Sequence, residues 1–174
     1  MTDAIDPTTR AIFDEVHKVY PDGVPNLFRT LAINPQVLSG FVALDEKLMG
    51  GVLTEGERMI VALLTAMEAD CPYCVAAMTK EAVEVGAAQE AVEAALNRAR
   101  AKDRRLDTLL TATRRIMETN GRLPRAEIAW FESRGFERDS LLEIIAVIAE
   151  FTMATYANNL LRTRIDPEFR GYGH

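Results

Sequence analysis

The stretch Thr54-Glu55-Gly56-Glu57, followed by Arg58-Met59-Ile60-Val61-Ala62-Leu63-Leu64, constrains the fold more than any other. A threonine with an acid three residues later has the form of a capping box, in which side chains satisfy the free amides of a helix start. The helix that follows is apolar on nearly every side. Such a helix cannot lie on a surface and is expected to be central, wrapped by other elements.

The rest of the chain supplies those elements as helices. Strand-type alternation with β-branched enrichment is almost absent. Asn34-Pro35 places an N-cap before a proline at the first helical position. Val37, Phe41, Leu44 and Leu48 follow at helical spacing, and Gly50-Gly51 ends the run. A helix is expected from the segment Cys71-Pro72 to Val85, stopped by Gly86, and another over 87–100. Asp103 caps a helix over 104–119, ended by Asn120-Gly121. Pro124 opens a short one through Phe131. A long last helix is expected from about Arg138 to Leu161, burying Leu141, Ile144, Ile145, Ile148, Phe151 and Thr155. Asp166-Pro167 and Gly171 to His174 read as a tail.

With 174 residues, 48% of them hydrophobic, the chain can bury a substantial core. No low-complexity linker divides it, so one all-α domain is expected. The formal net charge of −6 gives no global basic field for nucleic acid. The densest basic run, Arg98 to Arg105, reads as a solvated helix end and loop. Unbroken apolar stretches such as Met59 to Leu64 are too short for a bilayer. The first ten residues lack the basic start and apolar core of a signal peptide, so a cytoplasmic location is expected.

In that compartment structural disulfides are rare, and a close cysteine pair more often does redox or metal chemistry. The two cysteines of the chain are Cys71 and Cys74, in "DCPYCVAAM". Pro72 at the first helical position makes Cys71 the N-cap and sets Cys74 in the first turn. The partial positive charge of a helix start favours thiolate. Side chains three apart within a helix close a disulfide only with strain, whereas an N-cap residue has non-helical dihedrals that ease closure. The competing reading is two buried, inert thiols. A closed zinc site is disfavoured, because the two histidines, His17 and His174, lie near opposite chain ends. Cys-Pro-Tyr-Cys also matches a glutaredoxin site, but the βαβ context of that family is missing.

The stretch from Leu53 to Gly86, together with Thr155 to Leu161 and Thr163 to Pro167, resembles the carboxymuconolactone decarboxylase and alkyl hydroperoxidase D-like family. The resemblance implies a single helical domain of about seven or eight helices over 1–174, with a core at about 34–167 and residues 1–33 as an N-terminal helical extension. It implies a homo-oligomer, a trimer, hexamer or similar ring. It further implies a peroxidase-like, antioxidant thiol–disulfide oxidoreductase that uses no bound cofactor. By that analogy Cys74 attacks the peroxide, Cys71 resolves it, and a dithiol or lipoyl-type reductant restores the pair.

The sequence departs from the family at two positions. Where the peroxidase branch has a histidine four residues after the second cysteine, this chain has Met78. Where it has a glutamate twelve residues before the first, this chain has Met59. A thioether cannot relay a proton, so weakened activity is expected. Glu68 is the first candidate substitute base, against its reading as a solvated helix-end acid. Tyr73 is a weaker candidate, and Tyr156 also carries a hydroxyl. Met59 and Met78 either fill core space or line a pocket with the two thiols, soft enough for Cu(I). Two other functions remain open: a non-peroxidatic protein that binds a small molecule or partner, and a lactone decarboxylase. The latter needs a proton donor that neither histidine supplies within the motif.

Overall fold

The computed structural model describes residues 5–173. Among them are nine α-helices and no strand: α1 Pro7–Val19, α2 Asn26–Leu31, α3 Pro35–Leu48, α4 Glu55–Glu68, α5 Pro72–Glu84, α6 Gln89–Leu96, α7 Arg104–Thr119, α8 Arg125–Glu132 and α9 Arg138–Leu161. The all-α expectation holds, with one more helix than the upper count expected. Two helices, α1 and α2, make up the N-terminal extension. Helix α1 starts on Asp6, whose carboxylate accepts the amides of Thr8 and Thr9.

The capping box forms in full. Thr54 Oγ1 accepts the Glu57 amide at 3.2 Å, and Glu57 accepts the Thr54 amide at 3.0 Å. Glu57 also takes Arg105 at 2.5 Å, so two helix starts are tied by one carboxylate. Helix α4 is central as its composition requires. It buries every residue from Glu57 to Ala66 and packs against α5, α6, α7 and α9. Leu63, Leu109, Leu110, Ile144 and Val147 meet there with no exposed surface. Each large aliphatic side chain so buried contributes roughly 1.5–3 kcal/mol.

Boundaries differ from expectation where a local device ends a helix. Helix α6 stops at Leu96, four residues early, because Arg98 adopts φ 51°. Helix α8 takes Pro124 as its N-cap rather than its first residue. Three arginines of the basic run that follows α6 are paired inside the molecule: Arg98 with Glu68, Arg100 with Asp107, Arg105 with Glu57.

The largest correction concerns the segment after α9. It is no loose tail. Pro167–Phe169 forms a 3₁₀ turn, and Phe169 is 1% exposed, edge-on to Tyr73 at 5.8 Å between centroids. His174 lies outside the described residues. Helix α9 has 24 residues and is long and apolar enough by composition to cross a membrane, although no single apolar run is. It packs against α2, α3, α4, α5 and α7, which is the position of a core helix.

Candidate active site

The site is built where α4 turns into α5. Asp70 takes φ 46°, which reverses the chain in one residue. The Cys71 amide then bonds back to Ala66 O at 3.1 Å. Cys71 is extended (φ −100°, ψ 98°) and caps α5, with Pro72 opening the helix. Its Sγ accepts the Cys74 amide at 3.3 Å, and the two Sγ atoms lie 2.9 Å apart. Both thiols are free and buried. A disulfide bond measures about 2.05 Å, so closure needs a movement of less than an ångström.

The two thiols differ in electrostatics. Cys71 is held below the ordinary thiol range, first by its hydrogen-bonded contact with the Cys74 thiol and then by the amides of Cys74 and Tyr73, against the effect of burial. Cys74 is pushed far up by its contact with the Cys71 thiol, by burial and by the adjoining negative charge of Cys71. Asn158 Nδ2, at 3.2 Å from Cys74 Sγ, pulls partly the other way. The helix amides therefore collect on Cys71. The amide contact at the helix start favours thiolate on Cys71, the reverse of the roles the family resemblance implies.

The thiols also face different spaces. Cys71 lines a surface groove of about 450 Å³ beneath the chain end, with Met67, Val75, Ile165, Phe169 and Tyr172. Cys74 lines a small void of about 20 Å³ with Tyr20, Phe28, Met78, Glu81 and Phe151. Pockets of drug-like ligands run to several hundred cubic ångströms. A substrate of that size therefore fits on the Cys71 side and not on the Cys74 side.

The proposed helpers separate. Glu68 does not meet the pair: its side chain is 60% exposed, is held by Arg98 at 3.2 Å and lines other surface clefts. Tyr73 does lie beside Cys74, but its hydroxyl is engaged. It donates to Asp166 Oδ2 at 2.7 Å and accepts the Leu27 amide at 3.1 Å. Burial and the Asp166 carboxylate raise its pKa strongly, so it is a clamp on the chain end, not a proton source. Tyr156 points outward, 66% exposed. Met78 lines the Cys74 void, whereas Met59 is buried in α4 and lines neither space. The soft two-thioether pocket is not assembled. Among the described residues no cluster of three or more His, Cys, Asp or Glu converges as for a metal ion.

Three residues that contact Cys74 or line its cavity escaped sequence reasoning. Asn158 comes from α9, 84 positions away. Glu81 sits two turns after Cys74, on the stripe that Cys74 and Met78 define, and Tyr20 donates to its Oε1 at 2.7 Å. The 74–78–81 spacing was a visible signal for Glu81. Nothing local signals Asn158 or Tyr20.

The comparisons with known proteins agree with this architecture. Residues 35–103 match the carboxymuconolactone decarboxylase family model. No curated protein matches the chain by sequence. Among solved structures, the chain is similar to an alkylhydroperoxidase AhpD core from Ralstonia eutropha JMP134, described as an uncharacterized peroxidase-related protein. Identity is 25%, the TM-score is 0.86, and 97% of this chain and 90% of that one are covered. A peroxidase-related protein from Silicibacter sp. TM1040 shares the fold at 20% identity and TM-score 0.84, over 99% and 92% of the chains. The debrominase Bmp8 shares it at 15% identity and TM-score 0.74, over 98% and 92%. The chain thus carries a segment, residues 35–103, that matches the carboxymuconolactone decarboxylase family model, within a fold similar to that of the AhpD core structure.

Proposed function

We propose that the protein is a thiol–disulfide oxidoreductase of the peroxidase-like type, with Cys71 as the attacking thiolate and Cys74 as the resolving thiol. The observation that carries this reading is the contact of 2.9 Å between two free sulfurs, one of them fixed at the amino end of α5. The family segment and the peroxidase-related neighbours support it.

A hydroperoxide enters the groove, and Cys71 thiolate attacks its terminal oxygen. The O–O bond breaks, Cys71 becomes a sulfenic acid, and the alkoxide leaves as alcohol after taking a proton. Cys74 then attacks Cys71 sulfur and displaces water. Two electrons pass from the pair to the peroxide, and an external dithiol returns them. The pair carries no imidazole at Met78, and general acid–base groups typically contribute about 10²–10⁴-fold. Turnover is accordingly slower than with the full relay.

Steady-state peroxide consumption with dithiothreitol tests the reading. The wild type consumes peroxide, Cys71→Ser does not, and Cys74→Ser without reductant accumulates sulfenic acid at Cys71. A Cys71→Ser rate equal to wild type overturns the proposal. The missing relay favours the second reading, a binding protein on the same fold, and that reading gains if mild oxidant leaves both thiols free.

A further inference from the structure

The reading above leaves one chemical demand unmet. Cys74 must lose its proton to close the disulfide, yet it is the thiol whose ionisation the surroundings resist. Its own helix places Met78 one turn on and Glu81 two turns on, facing the same void. That void, at about 20 Å³, exceeds the roughly 10–15 Å³ that one water requires. Glu81 is fixed from across the void by the Tyr20 hydroxyl at 2.7 Å. A carboxylate, room for a bridging water, and a buried thiol thus line one small cavity where the relay imidazole is missing.

We propose that Glu81, positioned by Tyr20, accepts the Cys74 proton across this void when the disulfide closes. The inference rests on the oxidoreductase reading and supplies the base for its second step. With Cys71 carrying a leaving group X, the S–H bond of Cys74 breaks and its proton passes through water to the Glu81 carboxylate. The Cys74 electron pair forms the S–S bond, and X departs from Cys71 with the electrons of the S–X bond. Glu81 later returns its proton to solvent or to the re-formed thiol.

The charge setting suits this part. Burial brings the Glu81 carboxyl up to about 7, with Tyr20 opposing, Asp45 adding, and Arg58 and Lys80 opposing. A base near the working pH transfers protons most effectively. The groups around it are Tyr20 after α1, Asp45 on α3, Arg58 on α4 and Lys80 on its own helix. Glu150 on α9 lies behind Arg58 at 3.8 Å, and Glu168 acts on Tyr20 from the chain end.

Methyl methanethiosulfonate separates the two steps. Cys71 thiolate displaces methanesulfinate and becomes a methyl disulfide, and Cys74 then expels methanethiolate to give the intramolecular disulfide. Quenched samples read by intact mass follow both. In the wild type the second step should accelerate with rising pH and level off above about 7. Glu81→Gln should leave the first step unchanged, slow the second by about 10²-fold or more, and abolish that inflection. Tyr20→Phe, which removes a hydrogen bond that stabilises the carboxylate, should move the inflection to higher pH. Glu81→Gln and Tyr20→Phe profiles that coincide with wild type overturn the role of Glu81. A wild type that stops at the methyl disulfide overturns the oxidoreductase reading itself, a separate and recognisable outcome.

Discussion

Asn158 Nδ2 donates to Cys74 Sγ at 3.2 Å, joining the last turns of α9 to the first turn of α5. It is a stabilising influence on a Cys74 thiolate that otherwise meets burial and negative charge. A hydrogen bond to a charged group contributes about 1.5–3 kcal/mol, which is about tenfold or more in rate. Asn158→Ala is therefore expected to slow disulfide closure by about that factor at neutral pH. Closure kinetics by intact mass, with thermal unfolding as a check on folding, measures it.

Met78 occupies the helix position one turn after Cys74 and lines the same void. An imidazole there lies on the face of the thiol. Met78→His should raise the closure rate, by up to about 10²-fold, and the gain should fade below the histidine pKa. A variant no faster than wild type at neutral pH would show that α5 does not aim this position at Cys74.

The Tyr73 hydroxyl links the chain end to α2, bonding Asp166 at 2.7 Å and the buried Leu27 amide at 3.1 Å. Tyr73→Phe strands that amide and leaves Asp166 held by the Asn26 amide alone. An unsatisfied buried donor costs about 1–3 kcal/mol. Urea unfolding should show stability lowered by that amount, through a lower midpoint with an unchanged slope, and proteolysis should cut first after Ile165.

Glu150 on α9 has no exposed surface, and neither carboxylate oxygen has a hydrogen-bond partner among the described residues. Burial, then Asp45, raises its carboxyl to about 8, against Arg58. A carboxyl whose folded pKa lies above its unfolded one binds its proton more tightly in the native state. Its effect is absent below the ordinary carboxylate range. Stability then falls as pH rises through that range, until the folded group also ionises near 8. Glu81 acts in the same direction, so the comparison must be between variants. From about pH 5 to about pH 8.5, Glu150→Gln should lose less stability than wild type. Urea unfolding at both values tests this, and equal losses in the two proteins contradict it.

Much of this fold was legible because its signals are local. Thr54 and Glu57 cap one helix, Asn34 another, and Asp103 a third, each within three residues of its partner. The N-cap geometry of Cys71 followed from Pro72 alone. What the sequence concealed is contact across the chain. The Phe169 turn looks polar and breaker-rich, yet Tyr73 draws it into the core. Glu68 is nearer to Cys71 in sequence than Glu81 is to Cys74, but the reversal at Asp70 leaves it facing Arg98. The roles of the two thiols depend on where the amides of α5 converge and where Asn158 reaches, and spacing alone carries neither.

Cys71 is expected to ionise before Cys74, favoured by its contact with the Cys74 thiol and by the amides of the helix start. Alkylation of the reduced protein across pH, read for each cysteine by mass spectrometry, tests it most directly. Cys71 should react with a midpoint below the free-thiol value of about 8.5, and Cys74 only well above it. Equal midpoints at the free-thiol value, or earlier labelling of Cys74, would contradict the account.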